Sequence, residues 1–121
     1  MRTLPRRAFV VEDEYFVLLD IKDALTRMGC VVVHAVGSLR EAMEWAAKVE
    51  ADFAVVDVNV KGEKVYPAAE ILKERGLPFV FCTGYDQEYL DPQWADYPSI
   101  QKPFSVEELA IAIEKWLASL N

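Results

Sequence analysis

The sequence has no apolar run long enough to cross a membrane, no paired cysteine motif, no stripe of lysine and arginine, no repeat and no low-complexity stretch. Each absence removes a class of function. The basic start, Arg2, Arg6 and Arg7, leads into an apolar run, Ala8 to Val11, that stops at Glu12. That run is too short for a signal-peptide core or a membrane span. Cys30 and Cys82 sit inside apolar runs, which predicts buried free thiols in a cytoplasmic protein rather than a disulfide. A net charge of −7 repels nucleic-acid phosphates, so DNA binding is not expected. The 121 residues fit a single domain, 1–121, with no room for a second of ordinary size, so any output is expected to come through a partner.

What is present is an ordinary globular balance, 53% apolar and 27% charged, arranged as alternating short apolar runs and helical segments. Ala8–Val11 reads as a strand ending at three acids. Tyr15 to Met28 reads as a helix stopped by Gly29, with Val17, Ile21, Ala24/Leu25 and Met28 at helical spacing. Cys30–Val36 is a second strand. Ser38 and Glu41 form a capping box for a helix whose buried face is Leu39, Ala42, Met43 and Ala46. Phe53–Val56 is a third strand, followed by a polar turn over 61–64 and a helix with Pro67 in its first turn that runs to Arg75. Phe79–Cys82 and Ser99–Gln101 complete the strands. Ser105 and Glu108 cap a last helix with Leu109, Ala112, Ile113, Trp116 and Leu120 inward.

This order predicts an α/β, doubly wound, five-stranded parallel sheet in the order 2-1-3-4-5. One link breaks the rhythm. Residues 86–98 contain Pro92 near the middle and Pro98 at the end, and a helix across Pro92 would lose a hydrogen bond and clash. The helix between the fourth and fifth strands is therefore expected to be short, irregular or absent.

In open parallel sheets ligands sit beyond the carboxyl ends of the strands. Those ends carry Glu12, Asp13 and Glu14 after strand one, Asp57 after strand three, Thr83 after strand four and Lys102 after strand five. Taken singly, each reads as a helix-start acid, a turn residue or a surface lysine. Together they supply a nucleophile, a metal site, a cation and a hydroxyl. Carboxylates crowded together repel unless a hard cation intervenes, and Mg²⁺ with oxygen ligands fits. The set describes phosphoryl transfer to a carboxylate.

These residues resemble the receiver domain of two-component response regulators, over nearly the whole chain. Val10-Val11-Glu12-Asp13-Glu14 resembles the acidic metal motif and Val55-Val56-Asp57-Val58-Asn59 the acceptor motif. The resemblance implies a flavodoxin-like fold, with Asp57 as phosphoacceptor and Thr83 and Lys102 as its partners in catalysis. Glu12, Asp13, Asp57 and the Asn59 carbonyl would hold Mg²⁺, and Pro103 would follow a cis bond. Phe79-Val80-Phe81-Cys82-Thr83-Gly84-Tyr85, with Val65-Tyr66-Pro67 and Gln101-Lys102-Pro103-Phe104, is similar to the stand-alone FAT GUY subclass, which usually has Ala where Cys82 stands. Ser99 departs from the family by replacing the aromatic that commonly precedes the lysine by three. That leaves Tyr85, Tyr89, Trp94 and Tyr97 either as a responsive surface or as loop packing.

The implied partner is a sensor histidine kinase or a histidine phosphotransfer protein, docking near the first helix. Phe16 is there either a contact or a core residue. The chain is then a monomer that passes phosphate to a partner or serves as a phosphate sink. A haloacid dehalogenase-type phosphatase would need a second aspartate where Asn59 stands, and its metal acids would come late in the chain. A phosphate-independent interaction module on the same fold is the other alternative. A flavin-binding protein would want Ser, Thr or Gly after strand one.

Overall fold

The computed structural model describes residues 6–84 and 90–120. The elements in chain order are β1 (Arg7–Val11), α1 (Tyr15–Arg27), β2 (Val31–Val36), α2 (Leu39–Ala46), β3 (Phe53–Asp57), β4 (Asn59–Val60), β5 (Glu63–Lys64), α3 (Tyr66–Glu74), β6 (Phe79–Thr83), β7 (Ser99–Gln101) and α4 (Val106–Ser119). The main sheet is parallel throughout and runs β2-β1-β3-β6-β7. Counting only its own strands, this is the expected 2-1-3-4-5. β4 and β5 are a separate antiparallel hairpin over the stretch that sequence alone suggested was a turn.

Each central strand is buried on both sides, which suits its unbroken apolar sequence. β2 is different. It lies at the sheet edge, with a register shift opposite Ala8 and Phe9, and Val31 and Val33 are exposed. It begins one residue later than expected, with Cys30 buried just before it. Both cysteines are free and buried.

The helices start where their caps predict. The Ser38 side chain accepts from the Glu41 N–H at 3.2 Å, and Ser105 and Glu108 form a complete capping box. The buried stripes need two corrections. Met43 is exposed, leaving Ala42 and Ala46 as the inner face of α2. In α4 the inner residues are Leu109, Ile113 and Leu117, while Leu120 faces out and Trp116 is only partly covered. Four-residue steps from Leu109 through Ile113 keep the stripe on Leu117.

Between β6 and β7 the described residues, 90–98, hold one 3₁₀ turn, Pro92–Trp94, and no α-helix. Trp94 is 1% exposed. Its ring stacks on Tyr66 (centroids 5.9 Å apart, planes 8° apart) and meets Phe81 and Tyr97 edge-on. Trp94 is thus core, and a surface role for it is excluded; Tyr97 is partly buried against the same cluster. Tyr85 and Tyr89 lie outside the described residues. No helix among the described residues is long and apolar enough to cross a membrane.

Candidate functional site

The polar residues predicted at the strand ends converge. Glu12 follows β1 and stays in the sheet, its N–H donating to the Val36 carbonyl at 2.9 Å. Asp57 ends β3. Its register partner on β6 is Cys82, so Thr83 stands one residue further along the neighbouring strand. Lys102 follows β7, and its N–H donates to the Thr83 carbonyl at 2.8 Å, which carries the pairing up to the site. The Lys102–Pro103 bond is cis. Glu12, Asp57, Thr83 and Lys102 are the buried polar residues among those described.

The Lys102 ammonium lies 3.1 Å from Glu12 Oε1 and 3.2 Å from Asp57 Oδ2, with all three side chains almost fully covered. Backbone donors hold the carboxylates as well. The Asn59 N–H donates to Asp57 Oδ1 at 3.2 Å and the Glu14 N–H to Glu12 Oε2 at 3.2 Å. Asp13 is more open, and its Oδ2 accepts from the Lys61 N–H at 3.0 Å. Oxygens of Glu12, Asp13 and Asp57 all lie within 4.8 Å of one another.

Three carboxylates facing one ammonium leave the pocket short of positive charge. Burial, and then the charge of Asp57, push Glu12 up to about 7 against the pull of Lys102. Burial also raises Asp57, and Lys102 opposes it. Burial alone would lower Lys102, but Asp57 and Glu12 outweigh it and hold the ammonium above its usual range. The Cys82 thiol, pushed up to about 12 by burial and by Glu12, is protonated and is no rival nucleophile. A clustered, all-oxygen donor set with surplus negative charge fits a hard divalent cation such as Mg²⁺.

The structure therefore brings Glu12, Asp13, Asp57 and Lys102 together, places Thr83 beside them, and ties Asn59 in through its N–H. It removes the core reading of Phe16, which is 79% exposed and edge-on to the exposed Tyr15 at the start of α1. Sequence reasoning missed the bond from Lys61 to Asp13. The available signal was Val60-Lys61-Gly62-Glu63, a two-residue hairpin turn whose first position holds Lys instead of the usual Asn or Asp.

Comparison with known proteins agrees with this arrangement. The family model of the response regulator receiver domain matches residues 8–114. The transcriptional regulatory protein PdtaR of Mycobacterium tuberculosis is 31% identical over 115 residues, covering 92% of this chain and 56% of that protein, so the chain spans about half the length of this curated relative. The solution structure of SdrG from Sphingomonas melonis Fr1 superposes with a TM-score of 0.82 at 32% identity, covering 96% of this chain and 99% of SdrG. A response regulator receiver protein from Sinorhizobium medicae WSM419 gives a TM-score of 0.76 at 25% identity, covering 97% of this chain and 98% of that one. Receivers of this family generally bind Mg²⁺ in an acidic pocket and take phosphate from histidine kinases or phosphotransfer proteins. The chain belongs to the response regulator receiver domain family of two-component signalling.

Proposed function

We propose that this chain works as a single receiver domain, 1–121, that accepts a phosphoryl group on Asp57 from a phosphohistidine. The observation that carries this reading is the buried Lys102 ammonium shared between Asp57 and Glu12, with Asp13 beside them. Glu12, Asp13, Asp57 and the Asn59 carbonyl would hold Mg²⁺, which supplies the divalent charge that neutralises crowded carboxylate and phosphoryl oxygens.

The chain's own residues position and stabilise. The Asn59 N–H fixes Asp57 Oδ1, so one oxygen is anchored and the other, now paired with Lys102, is the attacking atom. It forms the new O–P bond in line as the P–N bond of the donor breaks, and that electron pair returns to the departing imidazole nitrogen. Lys102 then shifts its charge from the carboxylate to the phosphoryl oxygens, and the Thr83 hydroxyl donates to one of them. Phosphate adds about two negative charges at neutral pH, enough to draw both residues toward it.

For docking, a groove is lined by Glu14, Val17, Asp20, Lys102, Pro103 and Phe104, and the exposed Tyr15 and Phe16 stand on the same first turn of α1. We assign this rim to the kinase or phosphotransfer partner. The described part of the β6–β7 link holds a 3₁₀ turn and no α-helix, which supports the FAT GUY-like reading, and we place the chain in the cytoplasm as a monomer that relays phosphate or acts as a sink.

The test is direct. With Mg²⁺ and a small acyl or amido phosphate donor, mass spectrometry should find one added phosphoryl group. The Asp57→Asn chain should gain none, and an Asp57→Asn chain that gains one would sink the assignment.

A further inference from the structure

We propose that the β4–β5 hairpin positions Asp13 for the divalent cation, with Lys61 as a positioning residue that acts through its backbone. The inference rests on the reading that Glu12, Asp13 and Asp57 are the cation's ligands. Two of those carboxylates are steered by Lys102. Asp13 is the most exposed of the three and stands in the loop between β1 and α1. What steers it comes from 48 residues away, the Lys61 N–H on Oδ2 at 3.0 Å. One Asp13 oxygen is thereby anchored, leaving the other for the cation.

The hairpin is built to deliver that one N–H. Lys61 (φ 51°) and Gly62 (φ 81°) are both left-handed, and Val60 pairs with Glu63 across them, which makes a type I′ turn. Lys61 is the only non-glycine residue at positive φ among those described. Such a conformation is disfavoured for a side chain with a Cβ and persists where its surroundings enforce it. The base of the hairpin is fixed: Val60 and Val65 are fully buried, and the Val65 N–H donates to the Val58 carbonyl at 2.8 Å. A rigid base and a constrained tip hold the Lys61 N–H against Asp13. Outer partners that orient a ligand commonly affect metal affinity by about 10–100-fold.

The experiment is calorimetric titration of the folded chain with Mg²⁺ alone. Lys61→Gly and Lys61→Val both remove the side chain, but only glycine accepts the left-handed turn. Relative to wild type, Lys61→Gly should stay within about twofold and Lys61→Val should weaken Mg²⁺ by about tenfold. Gly62→Ala, a smaller insult to the same turn, should weaken it in the same direction. In an Asp13→Asn background Lys61→Val should add nothing, because the bond it disturbs no longer orients a ligand. Equal losses in Lys61→Gly and Lys61→Val, or wild-type affinity in both Lys61→Val and Gly62→Ala, would overturn the proposal. A wild-type chain that does not bind Mg²⁺ would instead overturn the cation reading beneath it. Wild-type binding that Asp13→Asn weakens and Lys61→Val leaves intact isolates the failure to the hairpin.

Discussion

On one face of the main sheet, α1 and α4 lay Ile21, Leu25, Leu109, Ile113 and Leu117 across Ala8, Val10, Phe53, Val55 and Val80. On the other, α2, α3 and the 90–97 link close over Phe9, Phe79 and Phe81 with Tyr66, Trp94 and Tyr97. The first face is covered by two long helices carrying aliphatic stripes. The second has a gap where the described part of the β6–β7 link forms no α-helix, and flat aromatic rings fill it. Strand alternation assigns the site to these faces unequally. Asp57 keeps the parity of Phe53 and Val55, Glu12 that of Ala8 and Val10, and Lys102 that of Ile100, all on the aliphatic side. Thr83 keeps the parity of Phe79 and Phe81, on the aromatic side. On the proposed function, the ionic cluster rests on the helix-covered face while the hydroxyl that responds to phosphate belongs to the face packed by rings.

The largest effect should come from removing the central ring. Trp94→Ala should cost about 3–5 kcal/mol and lower Tm by roughly 10–20 °C, because Tyr66, Phe79 and Phe81 cannot close the space of an indole. Trp94→Phe should cost well under half of that, since Nε1 has no hydrogen-bond partner among the described residues to lose. Denaturant unfolding measures both. Equal losses would mean that the aromatic face depends on a polar contact rather than on ring packing.

Next is the ionic cluster. Lys102→Met leaves Glu12 and Asp57 buried side by side without their ammonium, which should cost roughly 2–3 kcal/mol. The figure stays below that of a fully trapped charge because Glu12, already near 7, can take a proton. Mg²⁺ should restore part of the loss, so its stabilising shift in Tm should be larger for Lys102→Met than for wild type. An equal shift would show that the cation does not compensate the charge that Lys102 balances.

Much of this contrast was legible beforehand, and the unread part has a common cause. Apolar runs that stop at Glu12, Asp57, Thr83 and Lys102 mark strand ends directly, because a buried parallel strand must stay apolar until it leaves the core. Pro92 announced the irregular link by local sterics alone. What stayed hidden was decided across the chain. Trp94 lies in a segment without periodicity, and only the gap above β6 determines that it is buried. Val60-Lys61-Gly62-Glu63 could announce the turn but not its partner, because the Lys61–Asp13 bond uses a backbone N–H, which every residue but proline has. Met43 turns off the narrow inner face that Ala42 and Ala46 fill, and Leu120 stands at the exposed C-terminal end of α4, so neither is buried.

A smaller effect should follow at the joint between the two regions. The Tyr66 hydroxyl accepts from the Asp91 N–H at 3.1 Å and ties the start of α3 to the link. Tyr66→Phe keeps the ring stack on Trp94 and removes that bond, which should cost about 1 kcal/mol. Hydrogen exchange should rise at Asp91, in the link, while α1 and α4 stay protected. A uniform rise over both faces would erase the distinction between them.

The smallest change in stability, about 0.5 kcal/mol, should come from Thr83→Ala, and it is the sharpest test of the contrast. Trp45 stacks on His34, and Trp116 meets Phe53 on the aliphatic face, so replacing both by Phe leaves Trp94 as the single tryptophan, excited selectively as the reporter of the aromatic face. In that chain, phosphorylation of Asp57 should change Trp94 emission, because Thr83 moving toward the phosphoryl group carries strain two residues back to Phe81, whose ring meets Trp94 at 5.8 Å. Adding Thr83→Ala should leave phosphoryl uptake measurable by mass while the emission change disappears. The two readouts should separate because the ionic cluster proposed to take the phosphate and the rings expected to respond to it lie on opposite sides of the sheet. If emission still changes without the hydroxyl, the signal crosses by another route, and the parity of Thr83 does not explain how the aromatic face hears the site.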